Sequence, residues 1–166
     1  MAASHSGRAA GPTRPYPAGR IVRAGNTIVG VLIRAGLIPR GHLLTTRGRK
    51  SGRLRTQPVA LVEHEGRRWL VAPYGAVSWV LNARAAGKVI LRRRFTARAY
   101  TIRELAPMEA GPVLKRYVGF SAPARPYFQA TRDSPVEDFI AEAGRHPVFE
   151  LTPLDGDPWS AVSQAA

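Results

Sequence analysis

One stretch of the chain, residues 43–58, reads as a strand, a cationic turn and a second strand. Residues 43–46 are apolar and β-branched. Residues 56–62 form a second strand candidate, whose apolar part begins with Pro58, a residue that a sheet edge tolerates. Gly48 and Gly52 bracket the turn between the two runs. The stretch therefore predicts a β-hairpin, and with it a fold built on antiparallel strands.

The turn of this hairpin carries its charge. Ser51 lies among five basic residues, which are Arg47, Arg49, Lys50, Arg53 and Arg55. Guanidinium groups bind phosphate or carboxylate in a forked geometry, and glycine lets backbone N–H groups approach an anion closely. Two interpretations stay open, an anion site and an ordinary basic surface turn. A P-loop is excluded, because Arg49 separates Gly48 from Lys50.

The whole chain is strongly basic. It has 25 Lys and Arg against 11 Asp and Glu, a formal net charge of +14. Such an excess favours a polyanionic partner, either a nucleic acid or an anionic membrane surface. The 166 residues, of which 45% are hydrophobic, predict one soluble globular domain.

Cysteine and histidine usage excludes several chemistries. The chain has no Cys, so a disulfide, a thiolate metal site and a Cys nucleophile are all excluded. No metal is expected either, because the four histidines lack the spacing of metal ligands. They are interpreted as ordinary surface or strand residues, at positions His5, His42, His64 and His146.

The first 36 residues fall into two segments. Residues 1–18 are rich in Ala, Gly, Ser, Pro and Arg and are predicted to form a disordered basic arm. They lack the apolar segment of a signal peptide, so a cytoplasmic location is expected. Residues 20–36 predict an amphipathic helix that is too short and too charged to cross a membrane. It either covers a face of a β-barrel or lies on the inner face of an anionic membrane.

Strand and helix signals alternate along the rest of the chain. Further strands are predicted at 56–64, 67–72, 88–95, 97–105 and 147–151, with a turn at Glu65 and Gly66. Helices are predicted at 79–86 after an N-cap at Ser78, at 107–118 with Pro112 as a break, and at 135–143 after an N-cap at Ser134. The sum is a mainly β (α+β) fold, an antiparallel six-stranded barrel with peripheral helices over residues 19–153, followed by a loose tail at 154–166.

Four segments together resemble the deazaflavin-dependent nitroreductase family of actinobacteria. They are LLTTRGRKSG at 43–52, RTQP at 55–58, LVA at 70–72 and WVLN at 79–82. The resemblance spans residues 20 to 151. It implies a split β-barrel oxidoreductase that uses coenzyme F-420, a reduced 8-hydroxy-5-deazaflavin.

The same resemblance implies which residues bind the coenzyme. Its phosphate and oligoglutamate tail would lie on the basic hairpin and the strand that follows, against Arg49, Lys50, Ser51, Gly52, Arg55, Gln57 and Pro58. Its ring would face the loop at 72–78, which includes Ala72, Pro73, Tyr74 and Ser78, with Trp79 and Asn82 on the helix behind that loop.

This loop is also where the chain departs from the family. Better-known members have a longer loop with Gly-Gly, Lys and Pro, whereas this chain has only residues 73–77. The ring loses a Lys there, and Tyr74 is the candidate to replace it. Nitroimidazole reduction therefore does not follow from the match. The shorter loop resembles a branch suggested to act on lipid-like substrates, so the candidate acceptors are quinones, unsaturated fatty acids and nitro or enone compounds.

The implied reaction is hydride transfer, in which the protein holds ring and acceptor in line. No acid or base is obligatory for that step. A proton could come from water or from Tyr74, Tyr117 or Tyr127, although each tyrosine also reads as a packed residue.

Two other functions stay open. One is a non-enzymatic basic module for nucleic acid or an anionic membrane, and the other is a barrel that binds FMN or stores the deazaflavin. No nucleic-acid motif appears, so nucleic acid is not the expected partner. A monomer and a homodimer are equally consistent with the sequence.

Overall fold

The computed structural model describes Leu32 and residues 38–155. The predicted arm at 1–18, the amphipathic helix at 20–36 apart from Leu32, and all but the first two residues of the tail at 154–166 lie outside the described residues. The described strands are β1 (Gly41–Arg47), β2 (Leu54–His64), β3 (Arg67–Val71), β4 (Lys88–Arg93), β5 (Thr96–Glu104) and β6 (Val148–Leu154). The α-helices are α1 (Ser78–Ala86), α2 (Pro107–Phe120) and α3 (Val136–Glu142), with short 3-10 helices at Ala122–Tyr127 and Ala143–Arg145.

The six strands form a closed antiparallel barrel. Their order around it is β1-β2-β3-β6-β5-β4, and β4 closes on β1 through the pairs from Leu43–Arg92 to Thr45–Ile90. The predicted fold class, a six-stranded antiparallel barrel with peripheral helices, is confirmed.

The hairpin connections lie where the glycine signals predict them. Glu65 and Gly66 join β2 to β3 with φ of 49° and 75°, the positive values that a two-residue hairpin needs. Gly52, with φ of 66°, lies in the connection between β1 and β2. Both predicted hairpins are confirmed.

Two hydrophobic clusters hold the helices against the barrel. The interior contains Leu44, Leu61, Leu70 and Phe149, and the apolar face of α1 packs into it through Trp79, Val80 and Ala83. The second cluster covers the outer side of β2, β3 and β6 with α2 and α3, and includes Val62, Trp69, Leu114 and Phe139. Alternate residues of β2 therefore face opposite clusters, which is why the run from 59 to 62 is apolar on both faces.

The helix starts differ from the sequence-based expectation by one residue. Val77, not Ser78, is the N-cap of α1, and Pro135, not Ser134, is the N-cap of α3; neither makes a side-chain cap. Pro112 does not break α2, which runs through it. Shifts of one residue at a helix start lie within the ordinary variation of helix ends, so the cap signals located these helices without fixing their first residue. Within the described residues, no helix has both the length and the apolar character that a membrane crossing needs.

The strand pairings place several connections at the same end of the barrel. Arg47 pairs with Leu54 at the β1–β2 turn, Val71 pairs with Val148, and Glu104 pairs with Phe149. Helix α1, which follows β3 and precedes β4, lies at this same end. The basic hairpin and the loop before α1 are therefore brought to one end of the molecule.

Candidate active site

The turn between β1 and β2 is closed by its two glycines. The N–H of Gly48 donates to the Arg53 carbonyl at 2.8 Å, and the N–H of Gly52 donates to the Gly48 carbonyl at 2.8 Å. A Cβ on Gly48 would lie 2.9 Å from Ser51 Oγ and 3.1 Å from the Arg53 carbonyl oxygen, closer than side-chain carbons normally come. The turn is therefore tight, and its backbone conformation depends on glycine.

The cations of this turn are exposed and uncompensated. Within residues 38–155 none of them forms an ion pair, whereas other arginines of the chain, such as Arg67 and Arg103, pair with carboxylates. The set consists of Arg47, Arg49, Lys50, Arg53 and Arg55, all on the solvent side. Such a group can bind a ligand with several negative charges through charge-assisted hydrogen bonds.

A buried amide joins the turn to helix α1. Asn82 is 4% exposed, and its Oδ1 accepts hydrogen bonds from both the backbone N and the Nη1 of Arg49 at 3.2 Å. The residue expected behind the ring-facing loop thus lies directly against the hairpin. It holds the turn in a fixed position relative to the helix.

The loop that precedes α1 is short and internally hydrogen-bonded. The N–H of Ala72 donates to the Pro147 carbonyl at 2.9 Å, that of Gly75 donates to the Ala72 carbonyl at 3.2 Å, and that of Val77 donates to the Gly75 carbonyl at 2.8 Å. Gly75 has φ of 80°, which favours glycine. This loop forms one wall of a cavity.

The cavity has a volume of about 300 Å³ and draws its lining from three segments of the chain. Tyr74 and Tyr127 both line it and pack directly against each other edge to face, with ring centroids 4.6 Å apart and planes at 80°. Tyr74 is 38% exposed, so the aromatic pair lies toward the opening. The full lining is Pro73, Tyr74, Gly75, Ala76, Tyr127, Gly144, Arg145 and His146.

His146 is buried beside this cavity, at 4% exposure. Its Nδ1 lies 3.0 Å from the Pro73 carbonyl oxygen, and its ring stacks on Phe128 with centroids 3.9 Å apart. Burial lowers the pKa of His146 below its ordinary value, against the opposite effects of the Glu142 carboxylate and the Pro73 carbonyl. The interpretation of His146 as an ordinary surface or strand residue is therefore wrong. The available signal was the four-residue spacing of Glu142 and His146, which suits a pair at the end of a helix.

Three other residues expected to contact the coenzyme lie on strand β2 and helix α1. Gln57 and Pro58 are half-buried on β2 and pair with Leu44 and Leu43. Trp79 is 7% exposed and packs in the barrel interior against Phe149, with ring centroids 5.8 Å apart. The assignment of Gln57, Pro58 and Trp79 as coenzyme contacts stays a prediction.

Tyr117 does not reach the cavity. It is buried in the second hydrophobic cluster at 5% exposure, and burial raises the pKa of its hydroxyl. Of the three candidate tyrosines, only Tyr74 and Tyr127 line the cavity. Within residues 38–155, no cluster of His, Asp and Glu has a geometry that could hold a metal ion.

This architecture has relatives among known protein families and solved structures. A family model described as "F420H(2)-dependent quinone reductase" matches residues 19–136. A solved structure described as a domain-swapped dimer is 26% identical, covers 80% of this chain and 96% of its own, and superposes with a TM-score of 0.52. A solved F420-H2 dependent reductase (FDR-A) is 28% identical over 68% of this chain and 94% of its own, with a TM-score of 0.47.

A more distant structure shares the fold. The protein Atu2129 of unknown function from Agrobacterium tumefaciens is 15% identical, covers 84% of this chain and 58% of its own, and has a TM-score of 0.53. None of the curated proteins compared with the chain matches it. The match to the family model covers well over half of the chain. The chain therefore belongs to the F420H(2)-dependent quinone reductase family and is a deazaflavin-dependent oxidoreductase whose cofactor is coenzyme F-420.

Proposed function

We propose that the chain transfers a hydride from reduced coenzyme F-420 to a quinone, with the coenzyme's tail on the basic hairpin and its ring beside the loop at 73–77. One observation carries this arrangement. The uncompensated cations of the hairpin are tied through Asn82 to helix α1, and α1 begins where the cavity-lining loop ends. Tail and ring sites thus share one rigid element.

The residues fit the coenzyme by charge and by size. Its phosphate and oligoglutamate tail need several cations, which the hairpin supplies. The cavity of about 300 Å³ is at the lower end of ligand sites and holds one ring system. The charged tail must therefore lie outside it, and the hairpin is the basic surface joined to the same helix.

When bound, the coenzyme supplies the hydride. The protein's part is to place the ring and the acceptor in line and to exclude water from them. Arg49, Lys50 and Arg55 bind the tail and Asn82 fixes the turn. Tyr74 and Tyr127 orient the one ring system that the cavity receives, and their hydroxyl groups hold protons at the cavity, where the reduced acceptor needs one.

The acceptor is proposed to be flat and weakly polar. Family membership favours a quinone, and the edge-to-face tyrosines suit a planar ring more than a flexible chain. Unsaturated fatty acids and nitro or enone compounds are the competing acceptors. Turnover of each class with the reduced coenzyme under the same conditions ranks them. A higher kcat/KM for a fatty acid than for a quinone would reject the quinone assignment.

The hairpin is tested by removing two of its charges. Lys50→Ala with Arg55→Ala should weaken coenzyme binding by about 2 kcal/mol, because two charge-assisted but solvent-exposed contacts are lost. Titration of the coenzyme's fluorescence measures this directly. Arg92→Ala with Arg98→Ala is the matched control, since it removes the same charge from exposed positions on β4 and β5. Equal losses in both double variants would show that binding depends on net charge and not on the hairpin.

Assembly and location belong to the same proposal. Similarity to a domain-swapped dimer supports a homodimer, which light scattering on the purified protein would detect as twice the chain's 18.0 kDa. We place the enzyme in the cytoplasm, with residues 20–36 either covering the barrel or contacting the inner face of the membrane. Fractionation of cells that express the chain with or without residues 20–36 distinguishes the two arrangements.

A further inference from the structure

One carboxylate inside the protein holds the segment that follows Tyr127. Glu142 is 3% exposed. Its Oε1 accepts the N–H of Ala130 at 3.0 Å, and its Oε2 accepts the N–H of Gln129 at 3.1 Å and Nη2 of Arg145 at 3.1 Å. A buried carboxylate with three donors is firmly placed, and here it fixes the backbone two and three residues beyond Tyr127.

His146 holds the opposite wall. The Pro73 carbonyl oxygen can only accept, so Nδ1 at 3.0 Å must carry the proton and donate to it. The stacked ring of Phe128 lies against the same imidazole. This one side chain therefore contacts the residue before Tyr74 in the chain and the residue after Tyr127.

The second nitrogen of His146 has no hydrogen-bond partner among the described residues. Nε2 is buried and lies 3.6 Å from Glu142 Oε2. The charged groups that face the ring are Glu142 and Arg145, and the polar backbone group is the Pro73 carbonyl. Buried polar atoms are rarely left unpartnered, and a buried group of this kind beside a cavity points to a functional constraint.

We infer that His146 and Glu142 are a pair of positioning residues that set the separation of the two cavity walls, and with it the placement of Tyr74 against Tyr127. His146 holds the loop wall through Pro73, and Glu142 holds the Tyr127 wall through two backbone amides. The two side chains are adjacent, so a movement of one wall is transmitted to the other. The functional consequence rests on the proposed function, in which this cavity receives the ring system.

The first test needs neither coenzyme nor acceptor. Nitrogen-15 NMR of the free protein should show His146 as the Nδ1–H tautomer, the less common form of a free imidazole. The same resonances should titrate below the ordinary histidine value, since burial lowers the pKa of this group. An Nε2–H tautomer would overturn the inference, because Nδ1 would then face the Pro73 carbonyl without a proton.

The second test separates positioning from bulk packing. His146→Asn places an amide N–H where Nδ1 lies, whereas His146→Leu keeps apolar volume without a donor. In the Leu variant, amide hydrogen exchange at Gly75 and Val77 should rise about tenfold, and KM for the acceptor should rise more than kcat falls. The Asn variant should stay within about threefold of the parent in both measurements. His42→Leu, at a half-buried position on β1, is the control and should change neither.

The outcomes separate the inference from the proposed function. Faster exchange in the Leu variant with unchanged turnover would support the positioning role and reject the cavity as the ring site. Unchanged exchange in the Leu variant would overturn the positioning role, whatever the turnover. If the Leu variant does not fold, the tautomer in the parent protein and the exchange rates of the Asn variant decide the question.

Discussion

At the scale of single residues, the site depends on polar side chains that connect segments far apart in the chain. Asn82 reaches back to Arg49 across 33 residues, and His146 reaches Pro73 across 73. Neither contact has a local sequence signature, because the partner is supplied by another element. For this reason the contact of Asn82 with the hairpin and that of His146 with Pro73 could not be predicted from the sequence, which offered only the four-residue spacing of Glu142 and His146.

Asn82 therefore gives a sharp prediction. Asn82→Ala removes the acceptor for both donors of Arg49, so the hairpin should lose its fixed position and coenzyme affinity should fall about tenfold. The protein should also lose on the order of 1–3 kcal/mol in its free energy of unfolding. Calorimetric titration and chemical denaturation measure the two effects.

The control for Asn82 lies on the same helix. Arg84→Ala removes an exposed ion pair with Glu104 and leaves the hairpin untouched, so affinity should stay near that of the parent. Equal weakening in both variants would mean that α1 as a whole, and not the amide, supports binding.

At the scale of elements, the glycine turns explain why the strands could be predicted. Gly52 and Gly66 each take positive φ in a connection between consecutive strands, so a local signal marks each hairpin. Helix ends were less well predicted, since Ser78 and Ser134 lie next to caps without serving as caps. A turn depends on the conformation of one or two residues, whereas helix ends fray and their boundaries vary by one or two residues.

The two turns offer a matched pair of substitutions. Gly52→Ala and Gly66→Ala both place a Cβ at positive φ, which costs about 1 kcal/mol in each case. Thermal unfolding should therefore shift similarly in both. Only Gly52→Ala should weaken coenzyme binding, because Gly66 lies in the other hairpin, between β2 and β3. Loss of affinity in the Gly66 variant would contradict the assignment of the tail site.

At the scale of the whole molecule, the net charge of +14 acts on coenzyme binding in two ways, one specific to the hairpin and one general. In the proposed arrangement the hairpin cations attract the coenzyme's tail at close range, whereas the remaining charge acts over longer distances and is screened by salt. Sequence composition predicts the general contribution. The specific contribution of the hairpin cations depends on the geometry of the turn, which composition does not reveal.

Salt separates the two contributions. Raising the salt concentration from about 0.05 M to about 0.5 M should weaken coenzyme binding severalfold in the parent protein, because exposed charges carry part of the affinity. The variant Lys50→Ala with Arg55→Ala should show a flatter dependence on salt in the same fluorescence titration. Parallel dependences would place the tail elsewhere on the basic surface.

The fold was predictable at this scale and the cavity was not. Six strand signals, most of them in consecutive hairpins, make an antiparallel barrel with peripheral helices the simplest architecture. The cavity combines residues near 74, 127 and 145, which the sequence separates widely. The pairing of Val71 with Val148 brings the segments near 74 and 145 together, and Glu142 holds the segment that follows Tyr127 beside them.

The position of β6 within the sheet determines when the barrel and its cavity can first be completed during synthesis. This strand lies between β3 and β5, and the residues just before it, Arg145 and His146, line the cavity. A chain emerging from the ribosome can pair β1 with β2 and β4 with β5, but β3 and β5 keep open edges until β6 arrives. Closure depends on contacts of high sequence separation, which form slowly. Until β6 has been made, the unpaired edges of β3 and β5 therefore leave the nascent chain open to aggregation, and the cavity is incomplete.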